Sequence, residues 1–234
     1  MSVGHLFGHK ATRVNLQEAL EQPTPKPKPP VQRKPPKVNP ARSASYFNRA
    51  EYYRKLGRLQ TALTKYLMAV EATPENAHYH YRLGECYGAL GLTGYAVLEL
   101  EKARNLSPEN QFYHFWLGDF YSRLGRLHEA IEALQHAVFL APENAYYSMR
   151  LAILCLQGNR LQDSAEALRH AVSLRPDNAS YHSLLGDIYI RLGYERQALQ
   201  HYRSAGNLSP YDSAFVERVR RMTAIDPFAE PSGE

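Results

Sequence analysis

The chain has 234 residues, 44% apolar and 22% charged, with 17 Tyr, 8 Phe and 1 Trp. That is room for one or two domains with a substantial core, and no stretch approaches the roughly 18 uninterrupted apolar residues that a spanning helix needs. The net charge of +5 divides unevenly: residues 1–42 hold 8 Lys and Arg against 2 acids, a net of +6, leaving 20 basic and 21 acidic residues and a net of −1 for 43–234.

The first segment, residues 1–42, carries all of the excess basicity. Met1 to Lys10 lacks a basic n-region followed by an apolar stretch, which argues against a secretion signal. Two cysteines, Cys86 and Cys155, are too few for a disulfide framework or a four-ligand zinc site. The expectation is a cytoplasmic protein with reduced thiols. Asn15-Leu16-Gln17-Glu18 suits the start of one short helix, with Leu16, Ala19 and Leu20 as a small apolar face. Residues 23–40 interleave Pro23, Pro25, Pro27, Pro29, Pro30, Pro35, Pro36 and Pro40 with basic residues, the composition of an extended, polyproline-like linker without a core. Lys26, Lys28, Arg33, Lys34 and Lys37 make that linker a basic tether. A short docking element on a semi-rigid leash and disorder throughout are both compatible with this composition. Pro27-Lys28-Pro29-Pro30 is a minimal PxxP, a weak signal in any proline-rich segment.

From residue 43 a period of 34 organises the chain. Pro74, Pro108, Pro142, Pro176 and Pro210 repeat without slippage, as do Ala69, Ala103, Ala137, Ala171 and Ala205. Leu83, Leu117, Leu151 and Leu185 share a column, with Arg49 as the departure. The next column, Ala50, Gly84, Gly118, Ala152 and Gly186, is small throughout, as two closely approaching helices require. Tyr53, Tyr87, Tyr121, Cys155 and Tyr189 follow, and then Ala62, Ala96, Ala130, Ser164 and Ala198. Gly57, Gly91, Gly125, Asn159 and Gly193 mark a turn that needs a left-handed backbone. Each proline stops a helix, and Asn76, Asn110, Asn144 and Asn178 stand two residues later as N-caps. Each unit is therefore an antiparallel helix pair, about 44–56 and 59–72 in the first, and the units must stack because one pair cannot bury its apolar face alone.

This pattern resembles the tetratricopeptide repeat family, most clearly through Leu117-Gly118, Tyr121, Gly125, Ala130, Ala137 and Pro142. The resemblance implies an all-α fold: an α-solenoid, a right-handed superhelix of antiparallel helix pairs, with a C-terminal capping helix and an extended N-terminal segment. Five repeats would cover 43–76, 77–110, 111–144, 145–178 and 179–212. The family's large aromatic at the fourth position is present as Tyr46 and replaced by His80, His114, Ser148 and His182. Residues 213–225 read as the cap, with Phe215, Val216, Val219, Met222 and Ile225 as its apolar stripe and Glu217, Arg218, Arg220 and Arg221 facing water. Asp226-Pro227 ends it, leaving 226–234 as a tail.

In this family positions 2, 5, 6, 9, 12 and 13 of each first helix face a concave groove. Carried onto this chain, position 5 gives Phe47, Tyr81, Phe115, Met149 and Ser183, position 2 includes Phe112 and Tyr146, and position 6 includes Arg82, Trp116 and Arg150. Position 9 gives Glu51, Glu85, Asp119, Ile153 and Asp187, an acidic ladder broken once. Aromatic side chains exposed in such a groove anchor a partner's apolar residues; the alternative is that they pack between repeats. Unpaired, the acids favour a ligand with Lys or Arg beside apolar residues; paired with Arg82, Arg123, Arg150 and Arg191, they are a solvated face. The candidate groove comprises Phe47, Tyr81, Glu85, Phe112, Phe115, Trp116, Asp119, Tyr146, Met149, Arg150 and Asp187. The Lys and Asn clamp by which some relatives hold the acidic tails of chaperones is not matched. Phe47, Glu51, Arg82, Phe112 and Trp116 occupy those positions.

No catalytic constellation stands out. His78-Tyr79-His80 and His5 with His9 lack further ligands for a metal, and packing or solvated histidine is the expectation. Cys86 and Cys155 fall in the helical core pattern, as inert thiols. No phosphate-cradling glycine loop or nucleophile elbow is found, and the Asn105-Leu106-Ser107 and Asn207-Leu208-Ser209 sequons recur only because the repeat does. The sequence thus points to a non-catalytic protein-interaction module, an adaptor, scaffold or assembly factor without cofactor or metal. Its partner would be another protein, and residues 1–42 would dock a larger complex. The alternative is nucleic-acid association through phosphate contacts of the basic leash, against which stand a neutral body and a leash without aromatics for stacking.

Overall fold

The computed structural model describes residues 40–209 and 217–218. The expectations for the short helix that Asn15 begins, the linker, the tether Lys26, Lys28, Arg33, Lys34 and Lys37, most of the cap at 213–225 and the tail lie outside the described residues. Among those described there are ten helices and no strand. They are α1 (Pro40–Lys55), α2 (Leu59–Ala72), α3 (Ala77–Ala89), α4 (Thr93–Leu106), α5 (Gln111–Arg123), α6 (Leu127–Leu140), α7 (Ala145–Gln157), α8 (Leu161–Leu174), α9 (Ala179–Arg191) and α10 (Glu195–Leu208). Each odd helix packs on the even helix that follows, and each even helix packs on the next odd one, which makes an all-α solenoid. α1 begins at Pro40, earlier than the expected 44. Proline suits a first helical position, because its φ is preset and the N–H it lacks would have no partner there.

The 34-residue columns explain both kinds of turn. Between the two helices of a pair, Gly57, Gly91, Gly125 and Gly193 take φ of 71° to 78°, and Asn159 takes 55°. The chain reverses there so tightly that Arg58, Leu92, Arg126, Arg160 and Tyr194 each donate an N–H to the carbonyl five residues back, at 2.8–2.9 Å. That bond satisfies one of the carbonyls left open at a helix end. At the other turn, Asn76, Asn110, Asn144 and Asn178 accept backbone N–H bonds from Tyr79, Phe112, Tyr146 and Tyr181 at 3.0–3.2 Å.

Close approach accounts for the small columns. A Cβ on Gly118 would lie 2.8 Å from Leu134 Cγ, and one on Gly84 would lie 3.1 Å from the Ala96 carbonyl oxygen. The Ala69, Ala103, Ala137, Ala171 and Ala205 column is fully buried. Ser164 sits in an otherwise alanine column and donates its hydroxyl to the Ala152 carbonyl at 2.7 Å, so its burial leaves no unmet polar group. Leu83, Leu100, Leu117, Leu134, Leu168 and Leu185 fill the space between helices, each contributing about 1.5–3 kcal/mol by leaving water.

At the fourth position of three units, histidines bridge three elements. His80, His114 and His182 are buried, and each donates Nε2–H to a turn carbonyl, of Pro74, Pro108 and Pro176, at 2.8, 2.8 and 3.1 Å. Their other edges meet the even helices. His80 Nδ1 lies 2.6 Å from Glu99 Oε2, the His114 ring packs 5.3 Å from that of His136, and His182 Nδ1 lies 2.9 Å from His201 Nδ1. Cys86 and Cys155 are free and buried, and burial pushes the Cys86 thiol up to about 11 and raises that of Cys155 as well.

Candidate interaction face on the odd-numbered helices

Ring contacts and ion pairs link successive odd helices side by side, α1 to α3, α3 to α5 and α5 to α7. Phe47 of α1 stacks on Tyr79 of α3 at 4.7 Å and leans on His78 at 5.3 Å. Tyr81 of α3 meets Tyr113 of α5 at 5.5 Å. Phe115 of α5 stacks on Tyr147 of α7 at 4.9 Å and touches Tyr146 at 5.7 Å. Trp116 meets Phe115 at 5.6 Å and Phe120 at 6.0 Å. Phe47, Tyr81, Phe115 and Trp116 are half-buried and pack onto the core, and Met149 does the same further along.

Phe112 and Tyr146 are different. They begin the first turns of α5 and α7 and remain 53% and 48% exposed. Two readings of the aromatics therefore apply to different residues. Phe47, Tyr81, Phe115 and Trp116 form a packed floor, Tyr146 rises from Phe115 into solvent, and Phe112, three residues before Phe115 on α5, is likewise half exposed.

The acids of position nine are engaged within the chain, the paired alternative. Glu51 accepts from Arg54 at 2.8 Å and from the Tyr66 hydroxyl, and Arg82 of the next odd helix lies 3.6 Å away. Burial works against its charge, but these partners win and hold the Glu51 carboxyl below its usual range. Glu85 accepts from Arg82 at 2.8 Å and from the Tyr81 hydroxyl at 2.7 Å, and burial with that bond raises the Tyr81 phenol. Asp119 accepts from Arg150 of α7 at 2.7 Å, while Arg123 approaches its other oxygen at 2.7 Å as an ion contact without hydrogen-bond alignment. Asp187 accepts from the Tyr202 hydroxyl at 2.7 Å.

Arg218 corrects the expectation that it faces water. It is half-buried, its guanidinium lies 5.8 Å from the Tyr202 ring centroid and 3.5 Å from Asp187, and it donates to the Ser183 hydroxyl. The cause is periodic. Arg82, Arg150 and Arg218 are spaced by 68, and each reaches the acid 31 positions before it, Glu51, Asp119 and Asp187. The intervening junctions carry Trp116 and Leu184 at the same column, so polar and apolar cross-links alternate along the face.

One cavity of about 430 Å³ opens beside this face, where the turn before α7 meets the turn before α9. Glu143, Tyr146, Arg175, Asn178 and Tyr181 line it. Of these, periodicity flagged Tyr146 for the groove and Asn178 as a cap. Arg175 carried a signal that composition hides: its column otherwise reads Thr73, Ser107, Ala141 and Ser209. Among the described residues no three His, Cys, Asp or Glu side chains converge on a metal geometry, and no helix is long and apolar enough to cross a membrane.

A family model described as tetratricopeptide repeat matches residues 96–145, 117–179 and 149–213, and a second, described as TPR repeat, matches 50–91. No curated protein matches the sequence. Among solved structures, a crystal structure of MamA superposes with a TM-score of 0.68 at 22% identity, covering 74% of this chain and 94% of that one. A MamA fragment from Desulfovibrio magneticus RS-1 gives 0.66 at 22%, over 73% and 97%. YrrB, described as a TPR protein with an unusual peptide-binding site, gives 0.66 at 21%, over 76% and 92%. At these identities the likeness speaks for the fold.

Proposed function

The chain belongs to the tetratricopeptide repeat family of protein-interaction modules, and on that premise we propose that it is a non-catalytic adaptor that holds a segment of a partner protein along the face of its odd helices. The observation that carries this reading is the pair Phe112 and Tyr146, each half in solvent in the first turn of an odd helix, with Tyr146 seated against the packed Phe115 ring. Large aromatics on a rigid base bury apolar area at little cost in side-chain entropy, which is what makes them anchors. The stacked pairs hold that base in place before any ligand arrives. The acids and arginines of the same face neutralise one another, so in this reading they fix the spacing of the odd helices, and the aromatics supply the affinity. The basic residues Lys26, Lys28, Arg33, Lys34 and Lys37 would tether the module to an acidic surface of the same assembly.

The test is capture of partners by the full-length chain against a Phe112→Ser/Tyr146→Ser variant. Both side chains are half in solvent, so helicity is kept and the thermal midpoint moves little. Loss of a specific partner, about tenfold or more in affinity, is expected, and an identical set of captured proteins would sink the reading. Deleting residues 1–39, up to the start of α1, separates the tether: the aromatic-dependent capture persists, and the salt-sensitive part disappears.

A further inference from the structure

The cavity between the turns preceding α7 and α9 has a chemistry that the rest of the face lacks. Along the odd helices every acid of position nine already has an arginine or tyrosine partner. In the cavity Arg175 and Glu143 are both exposed, and neither makes an ion pair or side-chain hydrogen bond among the described residues. They line one space without meeting each other within ion-pair distance. Tyr146 and Tyr181 supply ring surface, and both hydroxyls are uncommitted among the described residues. Asn178 spends its side-chain oxygen on capping α9 at 3.2 Å, which leaves its amide N–H groups as donors. An acid recurs at this turn in four of the five units, as Glu75, Glu109, Glu143 and Asp177, whereas the guanidinium occurs once. This junction therefore presents a cation and an anion across an aromatic-lined space of about 430 Å³.

We propose that this cavity is a register-setting subsite for an internal peptide segment of the partner, one in which an apolar side chain is flanked by an acidic residue on one side and a basic residue on the other. The inference rests on the reading of the protein as a partner-holding module and deepens it. The apolar side chain lies between Tyr146 and Tyr181, the acid pairs with Arg175, the base pairs with Glu143, and the Asn178 amide donates to a peptide carbonyl. A guanidinium takes a carboxylate in two parallel hydrogen bonds, which gives direction as well as attraction. Glu143 repels a second acid, so a uniformly acidic segment is disfavoured. The carboxylate comes from a side chain rather than from a chain terminus. Tyr146 continues through Phe115 onto the aromatic floor at 5.7 Å, so the apolar surface runs on past the cavity and a bound chain passes through it.

The probe is a phage-displayed library of random peptides without free C-termini, panned on the full-length chain. Four proteins are compared: wild type, Arg175→Glu, Arg175→Gln and Phe112→Ser/Tyr146→Ser, each checked for equal helicity. The wild type is expected to enrich peptides with an acid and a base flanking an aromatic or aliphatic residue. Arg175→Gln weakens the leading peptide about tenfold. Arg175→Glu reverses the preference at the acidic position, and a leading peptide with its acid changed to Lys regains binding on that variant. Enriched peptides that depend on Phe112 and Tyr146 but bind both Arg175 variants as tightly as wild type would overturn the subsite and leave the module reading intact. Enrichment only from a companion library with free C-termini would also overturn it. A wild type that enriches nothing from either library would overturn both readings.

Discussion

Gly186 and Gly94 are both helical glycines, yet a methyl group added to each meets opposite surroundings. At Gly186 a Cβ would stand 2.5 Å from Cε1 of Tyr202. That ring is buried, its hydroxyl donates to Asp187 at 2.7 Å, and Arg218 lies over its face, so it has nowhere to move without breaking another contact. At Gly94, on the exposed first turn of α4, nothing among the described residues lies within 4 Å. Gly186→Ala is therefore expected to cost about 1–3 kcal/mol by overpacking, whereas Gly94→Ala gains about 0.5 kcal/mol from the narrower unfolded ensemble and better helix propensity. Urea midpoints of the two variants give the check, and a shift of the same sign in both would refute the account of the small column. The two positions look alike in composition. Only the 34-residue alignment separates them, since Gly186 shares its column with Ala50, Gly84, Gly118 and Ala152, while Gly94 shares its column with Gln60, His128, Gln162 and Arg196.

The helix pairs are tied internally by their histidines, and this makes their stability depend on pH with a definite sign. His182 donates Nε2–H to the Pro176 carbonyl, so its Nδ1 is the acceptor in the bond with His201, which must donate Nδ1–H. Burial and then the neighbouring His182 lower His201 from 6.5 to about 4, and the groups packed against it are His182 and Tyr189, with no carboxylate among them. His114 is lowered in the same direction, by burial and by the charges of His136 and Arg104 against the pull of the Pro108 carbonyl. A group whose folded pKa is depressed in this way takes up its proton first in the unfolded chain, so stability is full above 6.5 and falls as the pH drops towards 4. Partial exposure of His201 to solvent trims the effect to about 1 kcal/mol between roughly pH 7 and 5. Glu51, also depressed, loses its contribution only below its ordinary 4.5, so the two windows are separable. His201→Gln keeps a donor for His182 without titrating, and its thermal midpoint should fall less over that interval than the wild type's. Equal falls would show that another group is responsible. The sequence placed these histidines in the fourth-position column but not their partners, because Glu99 and His201 share one column of the even helices, whereas His136 and His170 share another three residues on.

Stacking order was readable from the columns because each enforces one local geometry: a left-handed turn, a capped start or a close crossing. The candidate face was readable only in part. Position in the repeat located Phe112 and Tyr146, but it does not distinguish them from Phe115 and Trp116, whose exposure depends on rings contributed by the neighbouring unit. The pairing of Glu51, Asp119 and Asp187 with arginines 31 residues later is likewise a property of adjacent units, and Arg218 shows it continuing beyond the five complete units. Interactions that reach only the next unit also govern how the array comes apart. Leu134 is 1% exposed in a core whose buried residues run through α4–α7, while a separate cluster, Ala50, Ala62, Tyr66, Leu83 and Cys86, holds α1–α3. Leu134→Ala removes side-chain volume packed against Gly118, which has no side chain to fill the space left, so a loss of about 3–4 kcal/mol is expected. Native-state hydrogen exchange should then show the amides of α4–α7 opening together, with those of α1 and α2 little changed. If every helix accelerated equally, the array would be a single cooperative unit, and partner binding at Phe112 and Tyr146 would be felt along its whole length. If exchange stays graded, binding at α5 and α7 stabilises the middle of the array and leaves the first pair free to open on its own.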